Sequence, residues 1–116
     1  MEMNAATRGF AALAQETRLE AFRLLVRCGT RGMAAGEIAR AVNVPQNTMS
    51  SHLATLVNAG LLESRREGRS IIYAVHLDGT QALLTFLLED CCQGQPEACI
   101  SLLNAVLPGC CPAESA

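Results

Sequence analysis

The sequence predicts a mainly α-helical fold carrying one small β-hairpin, and three observations predict it. Apolar residues recur at helical spacing through the first half of the chain. The pattern then changes to two short extended runs, Leu61 to Arg66 and Ser70 to Val75, joined by a tip at Glu67-Gly68-Arg69. Only three Phe and one Tyr occur, so the core must be Leu, Ile, Val and Ala, which suits packed helices. With 116 residues the chain is one ordinary domain. Half of it is apolar, more than a monomer of this size can bury, so a homodimer is expected.

The elements follow in order. Asn4 to Leu13 reads as a first helix and Thr17 to Cys28 as a second. Leu19, Phe22, Leu25 and Val26 share a face of the second helix, and Gly29 marks its end. Thr30 to Met33 reads as a loop. Ala34 to Val42 is a short helix burying Ile38 and, at its end, Val42. Asn43, Val44 and Pro45 make a tight turn, and Pro45 opens the next helix near its first position. That helix runs from Gln46 to Asn58 with Leu53, Leu56 and Val57 inward, and Ala59-Gly60 ends it. After the hairpin, Asp78 or Thr80 caps a last long helix reaching Leu88. Its Leu83, Leu84, Leu87 and Leu88 form a broad apolar face, so dimerisation through the terminal helices is expected. Gly94 and Pro96 interrupt this helix, 96–107 can form another short one, and 108–116 reads as a flexible tail.

Charge is unevenly placed. The net charge of −2 argues against a basic nucleic-acid binder on average. Residues 1–77, however, hold all nine arginines and six acids, a net +3, while 78–116 hold five acids and no base, a net −5. Phosphate contact needs local positive potential rather than a basic mean. With no lysine, every basic group is an arginine, the better fork for phosphates and base edges. The amino-terminal stretch lacks a long apolar block and no run is long enough for a bilayer span, so a cytoplasmic protein is expected. In that setting the six cysteines read as thiols for metal or redox work rather than disulfides.

Two short helices joined by Asn43-Val44-Pro45 and followed by a hairpin give the order of a winged helix-turn-helix. The second of them carries Gln46, Asn47, Thr48, Ser50, Ser51, His52 and Thr55 away from its apolar side. Such short donors and acceptors suit base edges and phosphates in a major groove. Arg65, Arg66 and Arg69 on the hairpin suit the flanking backbone or minor groove. A merely solvated face would not explain that order of elements. Neither His52, alone on its face, nor His76 has the neighbours a metal ligand needs; His76 reads as a surface or packing residue.

The chain resembles the ArsR/SmtB family of metal-responsive repressors from about Ala11 to Glu89. The resemblance rests on Leu13-Ala14-Gln15-Glu16-Thr17-Arg18-Leu19, on Gln46 through Leu56, on Ala59-Gly60-Leu61-Leu62 and on Arg65-Arg66-Glu67-Gly68-Arg69. It implies a homodimer that binds a palindromic operator and releases it when an inducer binds, with the polar residues above facing DNA.

Inducer sites in this family lie on different elements. A cysteine pair before the recognition helix is ruled out, since Met33 to Ile38 holds no cysteine. A carboxylate-and-histidine zinc site on the last long helix would use Asp78, but Thr80, Cys91 and Gly94 stand where its partners would be. Cys91, Cys92 and Cys99 remain. On an unbroken helix Cys92 and Cys99 would lie about 10.5 Å apart along the axis, too far for one ion bound at about 2.3 Å. Gly94 and Pro96 let the chain fold back between them. Three thiolates without histidine favour a thiophilic ion such as arsenite, with antimonite or methylated arsenicals as variants. Some arsenite-responsive members of the family carry a similar adjacent pair followed by a third cysteine. Residues 1–107 are therefore read as the DNA-binding and dimerisation domain with its inducer site. Cys28 reads as a small buried apolar residue, and Cys110 and Cys111 as extra ligands, a shuttle or bystanders.

Three other readings stand beside this one, and against the first, a helix-turn-helix fold used only for protein contacts, the polar face and the wing arginines argue. A redox or polysulfide sensor of the same fold would bridge Cys91 or Cys92 to Cys99. A thiol enzyme would need a base near its nucleophile, and the last quarter has no His, Lys or Arg. A protein without catalytic activity is the expectation.

Overall fold

The computed structural model describes residues 1–88. The expected helix at 96–107, the tail and Cys91, Cys92, Cys99, Cys110 and Cys111 lie outside the described residues. Met1–Leu84 form one compact unit, and Thr85–Leu88 complete the last described helix within a second.

In chain order the elements are α1 (Met3–Leu13), α2 (Glu16–Cys28), a 3₁₀ turn (Gly29–Arg31) and β1 (Met33–Ala34). They continue with α3 (Ala35–Val42), α4 (Gln46–Asn58), β2 (Leu62–Glu67), β3 (Ser70–Val75) and α5 (Leu77–Leu88). The helix starts differ from the sequence expectations by a residue or so. The strand β1 is new: where a loop and a helix start were expected, Met33 pairs with Tyr73 and Ala34 with Ile72. Two residues are too few to show an alternating pattern. The sheet therefore has three antiparallel strands in the order β1-β3-β2. Gly32 makes the pairing possible: its φ is 69°, and a Cβ there would collide with the Tyr73 carbonyl oxygen.

Helix α2 begins with the Gln15 side chain accepting the Arg18 backbone N–H at 2.9 Å. Its core side is Ala21, Phe22 and Leu25. Leu19 and Val26 were expected on that face, but they remain 44% and 53% exposed. The buried stripe is centred on Ala21 and Leu25, where a methyl group lets neighbouring elements approach closely. Cys28 is half-buried rather than buried.

The turn between α3 and α4 rests on Asn43, which ends α3 in the left-handed region at φ 66° and ψ 49°. Its N–H and that of Val44 both reach the Ala39 carbonyl, at 2.8 and 3.0 Å. In α4 the fully buried residues are Met49, Leu53 and Leu56, spaced i, i+4, i+7. Met49 takes the inward place expected for Val57, which is half-buried.

The hairpin is anchored by buried Leu61, Leu62, Ala74 and Val75, while every residue from Glu63 to Ser70 is exposed. It projects as a wing. Pairing of Glu67 with Ser70 leaves a two-residue tip, Gly68-Arg69, shorter than the three residues expected.

Helix α5 starts earlier than expected and neither Asp78 nor Thr80 caps it. The Thr80 N–H already bonds to the His76 carbonyl at 3.0 Å. The cap is His76, whose Nδ1 accepts the Gly79 N–H at 3.2 Å, a donor with no partner inside the helix. A Cβ on Gly79 would collide with the Gly60 carbonyl oxygen, so this joint requires glycine. Leu83 is buried against α1, where a Cβ on Gly9 would lie 3.2 Å from its Cδ2. Leu84 points outward.

Candidate nucleic-acid interface

Burial of Met49, Leu53 and Leu56 fixes the rotation of α4. Successive residues turn by about 100°, so Asn47, Ser51 and Thr55 fall on the opposite side, with Thr48 beside them, and all four are exposed. Part of this polar inventory is spent locally. The Asn47 Oδ1 accepts the Thr48 N–H at 2.9 Å, and the Thr55 hydroxyl donates to the Ser51 carbonyl at 3.2 Å. The rest faces outward.

The flanks of α4 differ from that outer face. Exposed Gln46 and half-buried Ser50 line an open cleft toward α3 and β3. Half-buried His52 turns the other way, and its Nδ1 accepts from Arg18 Nη1 at 3.3 Å. An arginine only donates, so the neutral ring carries its proton on Nε2. The same guanidinium donates from Nε to the Ala12 carbonyl at 2.5 Å and from Nη2 to the Ala11 carbonyl at 3.5 Å. One side chain thus ties the end of α1 and the start of α2 to α4. Sequence reasoning gave Arg18 no role. The available signal was a cation in the first turn of a helix, where the helix dipole disfavours it.

On the wing, the three arginines separate. Arg65 donates from Nε to Glu67 at 2.7 Å and from Nη1 and Nη2 to the Thr30 and Arg31 carbonyls at 3.2 and 2.8 Å. It braces the wing against the 3₁₀ turn. Among the described residues no hydrogen bond or ion pair involves the side chains of Arg66 or Arg69. Of the expected DNA-facing residues, the structure gathers Asn47, Thr48, Ser51 and Thr55 on one exposed helix face and leaves Arg66 and Arg69 available on the wing. It places Gln46 and Ser50 in the adjoining cleft and engages His52 and Arg65 internally.

Among the described residues no group of three His, Cys, Asp or Glu is placed to hold a metal ion. In the Met33 to Ile38 stretch the only ligand-type side chain is Glu37, and its Oε1 accepts the Ala34 N–H at 3.3 Å. Among the described residues no helix is long and apolar enough to cross a membrane.

Comparison with known proteins agrees with this geometry. A family model described as a helix-turn-helix domain matches residues 13–65. The HTH-type transcriptional regulator YgaV of Escherichia coli is 32% identical over 68 residues, covering 56% of this chain and 69% of that protein. The arsenic resistance transcriptional regulator ArsR1 of Pseudomonas putida is 36% identical over 67 residues, covering 58% of this chain and 51% of that protein. The solution structure of the homodimeric winged helix-turn-helix domain of Mb0332 from Mycobacterium bovis, a possible ArsR-family regulator, superposes with a TM-score of 0.62. It is 31% identical and covers 76% of this chain and 82% of that one. A buried-backed polar helix, an arginine-bearing wing and these likenesses agree: the chain belongs to the ArsR family of winged helix-turn-helix, DNA-binding transcriptional regulators.

Proposed function

We propose that the chain is a cytoplasmic, non-enzymatic repressor that binds operator DNA as a homodimer and releases it when trivalent arsenic binds Cys91, Cys92 and Cys99. The observation that carries the DNA half is the exposed face of Asn47, Thr48, Ser51 and Thr55, together with wing residues Arg66 and Arg69, whose side chains have no hydrogen bond or ion pair among the described residues. In this reading Gln46, Ser50, His52 and Arg65 flank or brace that surface. Dimerisation through α1 and α5 is supported by exposed Phe10 and Leu84 near the Gly9–Leu83 contact, and by the homodimeric state of the Mb0332 domain. Two recognition helices on a symmetric dimer would meet successive major grooves about 34 Å apart.

The inducer half rests on donor chemistry. Three cysteines within nine residues offer three soft thiolates and no histidine, the set a pyramidal As(III) takes. The likeness to an arsenic resistance regulator points the same way. Binding beyond α5 would reset the angle between protomers, and a coupling of about 1–3 kcal/mol per site is typical.

The test is fluorescence anisotropy of a duplex from upstream of the chain's own gene, on reduced protein, titrated with arsenite and separately with zinc. Release by arsenite, abolished in Cys91→Ser and Cys99→Ser with duplex binding kept, is the expected result. Release by peroxide or polysulfide but not arsenite would replace the inducer with an oxidant. Arsenite release that survives both substitutions would remove these cysteines from the site.

A further inference from the structure

We infer that the cleft between α3, the start of α4 and the wing seats a phosphodiester of the DNA backbone, with Arg40 and Arg69 as its cationic contacts. The inference rests on the DNA-binding reading and adds a residue from a helix that sequence reasoning used only for its core side. The open cleft, about 510 Å³, is lined by Gly36, Glu37 and Arg40 of α3, Gln46 and Ser50 of α4, and Arg69 of the wing tip, among others.

Arg40 is exposed yet folds back along its own helix. Its Nη1 lies 3.6 Å, and Gln46 Oε1 3.3 Å, from where a Cβ on Gly36 would stand. The missing side chain lets a guanidinium and an amide converge over one glycine. Among the described residues no hydrogen bond or ion pair involves the side chain of Arg40 or Arg69. Among the described residues Glu37 is the one acid that lines the cleft, and its Oε1 is engaged by the Ala34 N–H. Two unpaired cations therefore face one cleft. Beside them, α4 begins after Pro45, which offers no side-chain acceptor to the first N–H groups, and such helix starts favour anions.

The fold decides which anion. With α4 in the major groove and the wing on the flanking backbone, the strand bounding that groove must cross between them. That path is the cleft.

The experiment compares wild type, Arg40→Ala, Arg69→Ala and, as a charge control away from the cleft, Arg23→Ala. Each is titrated by anisotropy onto the upstream duplex and a scrambled duplex across a salt series. One lost phosphate contact per protomer lowers the slope of log K against log salt by about 1.8 per dimer, and affinity by about sixtyfold at 0.1 M salt. Arg40→Ala should show both, equally on the two duplexes, with a melting temperature within a few degrees of wild type, as for an ordinary surface substitution. Arg23→Ala should keep the wild-type slope. A second variant, Gly36→Ala, should melt no lower than wild type while weakening DNA binding, because its methyl group crowds the Gln46 amide and narrows the approach to Arg40. An Arg40→Ala slope equal to that of wild type, or a loss confined to one duplex, overturns the inference while the DNA-binding reading stands. Wild type that binds neither duplex withdraws both.

Discussion

Arg18→Ala tests whether the contact between α1, α2 and α4 is structural in the energetic sense. Of its three long-range bonds, one is short, Nε to the Ala12 carbonyl at 2.5 Å. The others, to Ala11 at 3.5 Å and His52 at 3.3 Å, are long. A hydrogen bond from a charged donor contributes about 1.5–3 kcal/mol. The long pair adds little, and removing a cation from the first turn of α2 returns about 0.3–1 kcal/mol of dipole repulsion. The net expectation is a loss of about 2 kcal/mol, which for a unit of this size lowers Tm by about 8–16 °C. Urea unfolding followed by circular dichroism, at fixed protein concentration because a dimer's stability depends on it, reads this directly. The midpoint should fall with m unchanged. Arg18→Lys should rescue less than half, because one ammonium cannot reproduce a planar fork meeting two carbonyls and an imidazole. A cycle with His52→Ala should return a coupling of no more than about 0.5 kcal/mol. A loss in Arg18→Ala below about 0.5 kcal/mol, the ordinary surface range, would refute the reasoning.

Three further outcomes follow from the packing. Met49→Ala empties a fully buried site beneath the exposed polar face of α4. It should cost about 2–5 kcal/mol in urea unfolding, and a cost under 1 kcal/mol would mean that α4 is rotated from the orientation described. Gly79→Ala places a methyl group on the Gly60 carbonyl, so α5 must shift at its first turn; circular dichroism should show lost helix and a Tm lower by several degrees, and an unchanged melt would contradict that close approach. Arg65→Ala removes the brace between wing and 3₁₀ turn. It should therefore change proteolytic nicking at the wing more than the salt slope of DNA binding, the reverse of Arg66→Ala.

The parts legible in the sequence were those with a period or a special backbone residue. The i, i+4 spacing of Leu53 on Met49 was present and only partly used, because Val57 offered a competing branched residue at the same edge. Asn43 and Gly60, both at positive φ, punctuated α4 as expected. Pairing across sequence distance was not legible. Strand β1 exists only because β3, about 40 residues later, has an open edge and Gly32 can approach the Tyr73 carbonyl. The site divided in the same way. Exposure of Asn47, Ser51 and Thr55 follows from helix geometry alone. The separate employment of Arg65, Arg66 and Arg69 depends on which wing face meets the 3₁₀ turn, and no run of adjacent arginines reveals that.

The joint at the end of α4 bears on how any signal from the last helix would reach DNA. Gly60 follows α4 after the capping Ala59, and its carbonyl lies where a Gly79 side chain would otherwise stand. His76 reaches both sides of this joint. Its backbone N–H donates to the Leu61 carbonyl at 2.9 Å, and its Nδ1 lies 3.2 Å from both the Gly79 N–H nitrogen and the Gly60 carbonyl oxygen. One ring nitrogen serves only one of these at a time: unprotonated it caps α5, protonated it donates to Gly60. The capping state fits the orphan donor of the helix. Either way the first turn of α5 and the Ala59-Gly60 turn after α4 share a contact made of two glycines and one imidazole. The start of α5 therefore meets the segment that follows α4 through the Gly60 carbonyl and the His76 ring, and a substitution at Gly79 is felt at both.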